Sequence, residues 1–314
     1  MSLHSAFRPG YSRVASVTTG LFIMATDKTF QITRRTALAG SLVAFTALAG
    51  RAAAQDVRAR LVDLERRHGG RLGVAILDTQ TGRRIEHRAG ERFAMCSTFK
   101  ALAVALVLAR VDRGEERLDR RVTFAKADLV RWSPVTEKHV GTGMTMAQIC
   151  EAAITLSDNT AGNLMLESFG GPAALTAYAR SLGDSMTRLD RIETALNEAT
   201  PGDPRDTTTP GAMLGTMRTL LLGEALSGPS REQLIAWLVA NKTGDRRIRA
   251  ALPRDWRVGD KTGTGDNGAA NDIAILWPPG RGPILVAAYY AEAKATDEQR
   301  NAVLAEVGRI AATL

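Results

Sequence analysis

The stretch NDIAILWPPGRGPILVAAYY, residues 271–290, contains two runs that are typical of β-strands, NDIAILW and PILVAAYY. The run WRVGDKTGT, which ends at residue 264, has the same strand character. Near the other end of the chain, RLGVAILDTQTGRRIEHRAGERF reads as two strands joined by a turn at residues 79–82. Strands are therefore predicted at both ends of the chain that follows the leader.

Helical patterns flank these strands and fill the sequence between them. In QDVRARLVDLERRHGG the apolar residues 57, 61 and 64 form a helical stripe. In TDEQRNAVLAEVGRIAATL, Thr296 is suited to cap the start of a helix. The middle of the chain, from about residue 98 to 240, is mostly helical, with Gly- and Pro-rich breaks.

The predicted fold is an α/β (α+β) fold with two subdomains. One antiparallel sheet, assembled from both ends of the chain and flanked by the terminal helices, forms a sheet subdomain from residues 55–95 and 245–314. Residues 96–244 form an all-helical subdomain. The active site is expected in the groove between the two subdomains.

The composition is that of an ordinary globular protein, with 45% hydrophobic and 24% charged residues. The formal net charge of +8 suggests nucleic-acid binding at first, but residues 1–54 carry +5 of it and leave +3 on residues 55–314. Aromatic residues make up only 5% of the chain, and no basic cluster is interleaved with them. We therefore expect no binding to nucleic acid.

Residues 1–54 are predicted to contain an export signal, with an extension of no clear role before Met24. The pair Arg34-Arg35 precedes an apolar stretch from 36 to 50, and small residues end at Ala54. The pair resembles a twin-arginine signal, and the apolar stretch is short for a membrane span. Cleavage after Ala54 would give a periplasmic or secreted protein with no stable membrane association. An uncleaved anchor is the alternative.

Neither a disulfide nor a metal site is predicted. Cys96 and Cys150 lie in segments that read as a packed turn and a buried helical face, so both are expected to be free, buried thiols. The four histidines are isolated, and none has the spacing of a zinc site. We expect no metal and no cofactor.

The string MCSTFK, residues 95–100, allows two interpretations. Ser97 can be a helix cap, because serine side chains accept hydrogen bonds from the free N–H groups of a first turn. Alternatively, Ser97 can be a nucleophile, because residues three apart share a helix face and Lys100 would point back over it. A buried lysine is driven towards its neutral form and can then accept a proton.

Three further strings contain polar residues suited to a site. Ser157-Asp158-Asn159 follows the apolar run CEAAITL, Glu193-Thr194-Ala195-Leu196-Asn197 lies in an irregular stretch, and Lys261-Thr262-Gly263 lies in a strand-like segment. A second Lys-Thr-Gly, at 242–244, follows the helical run REQLIAWLVAN, where its glycine is expected to end the helix. Only the copy at 261–263 is expected to line a groove.

In this order, Ser-x-x-Lys, Ser-Asp-Asn, Glu-x-x-Leu-Asn and Lys-Thr-Gly resemble the motif set of the class A serine β-lactamases. The resemblance covers the whole mature chain, and the stretches SPVTEKHVG and GDKTGTGD are also similar to that family. It implies hydrolysis of β-lactam antibiotics through an acyl-enzyme, and hence resistance to them.

The resemblance implies a role for each motif residue. Ser97 would be the nucleophile, Lys100 would take or position its proton, and Ser157 would pass a proton to the leaving ring nitrogen. Backbone N–H groups of Ser97 and Thr264 would form the oxyanion hole. The base for acylation is either Lys100 or Glu193 acting through water. The implied substrate-binding residues are Asn159 for the side-chain amide, Lys261, Thr262, Gly263 and Thr264 for the carboxylate end, and Trp132 at the pocket mouth.

Deacylation is implied to depend on a surface loop. Glu193 would activate the water that releases the acyl group, and Asn197 would hold the same water. The loop from 188 to 206 is expected to close through an ion pair between Arg191 and Asp206.

Four positions depart from the family pattern. Thr194 replaces a frequent proline, and Trp132 replaces a frequent tyrosine at the pocket mouth. Ala270 stands where many relatives have an arginine, and Arg300 is the candidate to replace that arginine. Gly265 stands where some carbapenem-hydrolysing relatives have a cysteine paired with the equivalent of Cys96.

Sequence features argue against three other functions. A D-Ala-D-Ala peptidase or esterase would use the same Ser97, but Glu193 and Asn197 argue against it. A penicillin-sensing or cell-wall-binding domain would need slow deacylation, and zinc hydrolysis would need clustered histidines. The prediction is a monomeric, metal-free serine hydrolase whose partner is a small-molecule β-lactam substrate.

Overall fold

The computed structural model describes residues 56–314, so the predicted export signal lies outside the described residues. In chain order the strands are β1 (Arg71–Asp78), β2 (Arg84–His87), β3 (Phe93–Ala94), β4 (Arg121–Val122), β5 (Met144–Thr145), β6 (Thr207–Thr208), β7 (Arg257–Thr264), β8 (Ala270–Trp277) and β9 (Ile284–Ala291). The helices are α1 (described over 56–68), α2 (Phe99–Asp112), α3 (Met146–Thr155), α4 (Asn159–Ser168), α5 (Gly171–Ser181), α6 (Pro210–Leu221), α7 (Gly228–Val239) and α8 (Asp297–Ala311).

The main sheet has five antiparallel strands in the order β2-β1-β9-β8-β7. The two ends of the chain meet at its centre, where Ala75 of β1 lies opposite Ala287 of β9. This confirms the prediction of one sheet assembled from both ends. Strand β7, which carries Lys261-Thr262-Gly263, is an edge strand and therefore has one side free to line a groove.

Each face of the sheet packs against a different hydrophobic core. Along β8, Ile273 and Ile275 face the core shared with α2, whereas Ala274 and Leu276 face the core shared with the terminal helices. This alternation is the two-residue period of a strand covered on both faces. The sheet is thus a layer between the terminal helices and the helical part of the chain.

Helix α2 runs through the middle of the larger core, and its first eleven residues, 99–109, are all buried. A helix that is apolar on every side is stable only when it is surrounded. Because Lys100 is in the first turn of this helix, its ammonium group is drawn into the protein interior with the helix.

Local signals set several element boundaries as predicted. Thr296 caps α8 by accepting a hydrogen bond from the backbone N–H of Gln299. The turn after β1 closes with a hydrogen bond from Gly82 N to Asp78 O of 2.9 Å. Within residues 56–314, no helix is both long and apolar enough to cross a membrane.

Candidate active site

Ser97 lies in a short 3₁₀ turn, Cys96–Thr98, that leads into α2, and it is 7% exposed. Its Oγ accepts a hydrogen bond from Lys100 Nζ at 2.9 Å and donates one to Glu193 Oε1 at 3.1 Å. Neither partner is a backbone N–H of the helix. Of the two interpretations of MCSTFK, the structure therefore supports the one that places Ser97 in a cluster of ionisable side chains.

Lys100 is completely buried and has several oxygen partners. Besides Ser97, its Nζ donates to Asn159 Oδ1 at 2.7 Å and to the Ser157 carbonyl at 2.9 Å, and it lies 2.9 Å from Glu193 Oε1. Burial lowers the pKa of Lys100, and the negative charge of Glu193 opposes that shift. Lys100 is thus shifted towards the neutral form that can accept a proton.

The Ser-Asp-Asn motif connects α3 to α4 and presents two of its side chains to Lys100 and Lys261. Asp158 caps α4 by accepting a hydrogen bond from Ala161 N at 2.9 Å, which fixes the turn. Asn159 then binds Lys100 through Oδ1 and the Arg131 carbonyl through Nδ2, at 2.8 Å. Ser157 Oγ accepts a hydrogen bond from Lys261 Nζ at 3.0 Å.

Strand β7 brings Lys261 and its neighbours to the turn that carries Ser97. Lys261 is fully buried, and its pKa is lowered well below the ordinary value, first by burial and then by the positive charge of Lys100. A Cβ atom on Gly263 would lie 2.7 Å from the Met95 carbonyl oxygen. Glycine is therefore needed there for β7 to approach the turn.

Trp132 lies next to the Ser-Asp-Asn motif: its backbone carbonyl accepts a hydrogen bond from the backbone N–H of Asn159 at 2.9 Å. Its indole N–H donates to the Leu156 carbonyl at 3.0 Å, and the side chain is 62% exposed. The ring is therefore anchored at one edge and open to solvent at the other.

Glu193 is buried, at 3% exposure, and its two carboxylate oxygens have different partners. Oε1 faces Ser97 and Lys100, and Oε2 accepts a hydrogen bond from Asn197 Nδ2 at 2.5 Å. The peptide bond between Glu193 and Thr194 is cis. Thr194 occupies the position of the frequent proline, and the Glu193 carboxylate lies inside the cluster.

Asn163 of α4, which sequence reasoning missed, fixes the backbone of Glu193. Its Nδ2 donates to the Glu193 carbonyl at 2.9 Å, and its Oδ1 accepts the Glu193 N–H at 2.8 Å. Its place one helical turn after Asn159 was the available signal.

The ends of the 188–206 loop are joined by an ion pair, as predicted. Arg191 Nε donates to Asp206 Oδ2 at 2.6 Å, and Asp206 is fully buried. Asp206 Oδ1 also accepts the backbone N–H groups of Asp190 and Arg191, at 2.7 and 2.9 Å. The loop that carries Glu193 is thus closed at its base.

Comparisons with known proteins agree with this arrangement. A model of the β-lactamase enzyme family matches residues 54–313. The chain belongs to that family. It is 52% identical over 251 residues to β-lactamase AST-1 of Nocardia asteroides, covering 80% of this chain and 81% of the relative. It is 49% identical over 259 residues to β-lactamase OXY-1 of Klebsiella oxytoca, covering 82% and 89%.

A solved structure of similar fold is an ancestral (GNCA) β-lactamase of class A. It superposes with a TM-score of 0.80 at 69% identity and covers 81% of this chain and 98% of its own. The family and fold predicted from the motifs, class A serine β-lactamase with an α/β architecture, are confirmed.

The arginine next to the β-lactamase site is Arg247, not a residue that sequence reasoning proposed. Its Nη2 donates to Thr264 Oγ1 at 2.6 Å, and its Nη1 donates to the carbonyls of Gly263 and Asn271 at 2.7 Å each. Arg300 was the candidate, but it binds Asp297 and the Ala295 carbonyl instead. The string RRIR at 246–249 held no periodic signal that marked Arg247.

The prediction for the second Lys-Thr-Gly was wrong. Helix α7 already ends at Val239, so Gly244 does not terminate it. A Cβ atom on Gly244 would lie 1.8 Å from Asp260 Oδ2, so this turn is pressed against β7. Thr243 Oγ1 lies 2.5 Å from Thr262 Oγ1, which joins the two Lys-Thr-Gly copies directly.

Both cysteines are free and buried, as predicted. Burial raises the pKa of the Cys96 thiol to about 12 and also raises the pKa of the Cys150 thiol. A Cβ atom on Gly265 would lie 2.7 Å from Cys96 Sγ, so the backbone of Gly265 lies too close to Cys96 to leave room for a side chain. Among residues 56–314, no group of three or more His, Cys, Asp or Glu side chains could hold a metal ion.

Proposed function

We propose that this class A serine β-lactamase hydrolyses β-lactams through an ester on Ser97 that Glu193 helps to release. One observation carries the proposal: the Glu193 carboxylate touches both the Ser97 hydroxyl, at 3.1 Å, and Asn197, at 2.5 Å. A base in contact with both the nucleophile and a second polar side chain can serve attack and hydrolysis in turn.

In acylation, Ser97 Oγ attacks the β-lactam carbonyl carbon and loses its proton to Lys100, or to Glu193 through a water. The C–N bond of the ring then breaks, and the proton taken from Ser97 is relayed through the Ser157 hydroxyl to the ring nitrogen. The contact between Lys261 Nζ and Ser157 Oγ, at 3.0 Å, supports this role, because an adjacent lysine orients the hydroxyl. Backbone N–H groups of Ser97 and Thr264 stabilise the oxyanion.

The substrate is held at its two polar ends. Asn159 binds the side-chain amide, and the Lys261-Thr262-Gly263 strand with Thr264 binds the carboxylate. Arg247 supports Thr264 from behind through the contact of 2.6 Å. Trp132 covers the mouth of the pocket with an exposed aromatic ring.

In deacylation, Glu193 takes a proton from water, the resulting hydroxide attacks the ester carbonyl, and Ser97 leaves with the proton restored. Asn197 Oδ1 is buried and accepts no hydrogen bond from the described residues, so it is free to hold that water. This step separates a hydrolase from a penicillin-binding peptidase that stays acylated.

The test is the intact mass of the mature protein mixed with benzylpenicillin, sampled from seconds to one hour. Wild type is expected to return to its free mass, Glu193→Gln to stay one penicillin heavier, and Ser97→Ala to gain no adduct. A wild type that stays heavy would contradict the assignment of Glu193 and favour the peptidase or sensor. Turnover by Ser97→Ala would contradict the nucleophile.

We also propose that the protein is exported through the Arg34-Arg35 signal and acts as a periplasmic or secreted monomer. The paired arginines, the apolar stretch and the small residues ending at Ala54 support export. Substituting both arginines with lysine should retain the enzyme in the cytoplasmic fraction. Sedimentation of the mature chain as a dimer would contradict the monomer.

A further inference from the structure

The two threonines of β7 that line the carboxylate end differ in what holds their hydroxyl groups. Thr264 Oγ1 accepts an N–H from Arg247 at 2.6 Å, which leaves the Thr264 proton free to point at a ligand. Thr262 Oγ1 instead lies 2.5 Å from another hydroxyl, that of Thr243. The direction of this second hydrogen bond decides whether Thr262 can donate to substrate.

A chain of contacts behind Thr243 favours one direction. Arg249 pairs with one oxygen of the Asp260 carboxylate, and Asn241 Nδ2 donates to the other at 2.6 Å. The backbone N–H of Thr243 can only donate, and it lies 3.0 Å from the Asn241 amide oxygen, so the amide nitrogen is the group that faces Asp260.

Asn241 Oδ1 accepts two hydrogen bonds from Thr243, one from its hydroxyl at 2.9 Å and one from its backbone N–H at 3.0 Å. With the Thr243 proton used in this way, Thr243 Oγ1 can only accept from Thr262. In the free enzyme the Thr262 proton therefore points away from the ligand and towards Thr243.

Binding of a carboxylate requires both hydroxyls to turn. When Thr262 directs its proton to the carboxylate, two lone pairs would face each other at 2.5 Å unless Thr243 also rotates and donates to Thr262. Thr243 can rotate at little cost, because its backbone N–H still satisfies Asn241 Oδ1. The resulting chain, Thr243 to Thr262 to carboxylate, is charge-assisted and cooperative.

We propose that Thr243 is a positioning residue for the substrate carboxylate. It accepts the Thr262 proton in the free enzyme and donates its own proton to Thr262 in the complex. This inference rests on the proposed hydrolysis of β-lactams. It deepens that proposal by assigning a residue to carboxylate recognition outside the motif at 261–263.

The test compares benzylpenicillin with its methyl ester, which keeps the ring and removes the negative charge. Thr243→Val has the shape of threonine without the hydroxyl. It removes the hydrogen bond to Thr262 from both the free enzyme and the complex, and because the carboxylate strengthens that bond in the complex, kcat/KM for benzylpenicillin is expected to fall by about three- to tenfold. The same variant should change kcat/KM for the ester by less than about twofold. Thr243→Ser should restore the value for benzylpenicillin.

Three controls separate the possible outcomes. In a Thr262→Val background, Thr243→Val should have no further effect, because it acts only through Thr262. Thr219→Val, in α6, should leave kcat/KM unchanged for both substrates. The return of the acyl-enzyme to its free mass should be as fast in Thr243→Val as in wild type, because deacylation does not use this chain.

Equal losses for acid and ester would overturn the inference, because a structural defect would not sense the carboxylate. So would an unchanged kcat/KM for the acid. A wild type that forms no adduct with benzylpenicillin would instead contradict the proposed function, and this inference with it. The two failures are distinguished by the wild-type mass measured first.

Discussion

The carboxylate of Glu193 lies 2.9 Å from Lys100 Nζ, with both side chains fully buried. A buried contact of this kind between an amine and a carboxylate is costly to break, because the group that remains is left without a partner in the protein interior. The pair joins helix α2 to the 188–206 loop, so the residue beside the nucleophile and the residue proposed to release the ester hold each other in place.

Gly162 of α4 makes room for this pair. A Cβ atom there would lie 2.9 Å from Lys100 Cε and 3.7 Å from Glu193 Cγ. In Gly162→Ala, Lys100 must shift to make room for the added methyl group, and the shift disturbs its hydrogen bonds. We therefore expect kcat to fall about tenfold or more, since small misplacements at a reacting centre are costly. Steady-state hydrolysis of benzylpenicillin measures the effect.

Gly215, in the middle of α6, provides the matched control. Nothing lies within 4 Å of a Cβ atom added there. Gly215→Ala is expected to raise the free energy of unfolding by about 0.5–1 kcal/mol, the gain from a better helix former, with unchanged kcat. Full activity in Gly162→Ala would show that Lys100 tolerates the shift.

Lys261 makes the stability of the wild type depend on pH. Its pKa is lowered well below the ordinary value in the folded protein but returns to about 10.4 on unfolding. Between these two values the unfolded state binds more protons, so the stability of wild type rises with pH, by at most about 1.4 kcal/mol per unit. Lys261→Met lacks this rise.

The stability of Lys261→Met relative to wild type is therefore expected to fall as the pH is raised. Urea unfolding at several pH values from neutral to alkaline measures the difference. Lys126→Met is the control, because it removes an exposed lysine and leaves Lys261 in place, so the rise that Lys261 gives should be kept. Parallel curves for Lys261→Met would contradict the prediction.

Asn163→Ala removes both hydrogen bonds that hold the backbone of Glu193. We expect the free energy of unfolding to fall by about 1–3 kcal/mol and the acyl-enzyme to persist longer, because Glu193 is no longer fixed. Limited proteolysis between residues 188 and 206 and intact mass measure the two effects. Glu193→Gln keeps these backbone contacts, so it should deacylate slowly without becoming sensitive to protease.

Asp206→Asn tests the ion pair that closes the loop. Asparagine keeps the shape and tolerates the φ of +57° at this position, so the variant removes the charge and turns one of the two accepting oxygens into an N–H donor. We expect a loss of about 2 kcal/mol in the free energy of unfolding, because Asp206 is buried and accepts three hydrogen bonds. Thermal and urea unfolding measure it.

The exposed pair between Arg117 and Asp119 gives the comparison, with side chains 77% and 71% exposed. Asp119→Asn is expected to leave stability unchanged within error, since water screens such pairs. Equal effects of the two substitutions would mean that the loop is held by its other contacts.

The sequence alone determined the parts of this protein that depend on local geometry. The apolar runs NDIAILW and PILVAAYY predicted strands, and the apolar stripe at residues 57, 61 and 64 predicted a helix, because each pattern matches one backbone geometry. The spacing of Ser97 and Lys100 placed them together, because residues three apart share one face of a helical turn. The order of four motifs then identified the family.

Tertiary structure alone decided which distant polar groups meet. Arg247 and Thr264 are 17 residues apart, and Asn163 and Glu193 are 30 apart, yet both pairs are joined by hydrogen bonds. The sequence predicted that Thr243 lies at the end of a helix. In the structure its turn packs against β7, which brings Thr243 next to Thr262. Buried polar groups must form hydrogen bonds, but the periodicity of a sequence does not specify which distant group will be the partner. That choice depends on how the helices and strands pack.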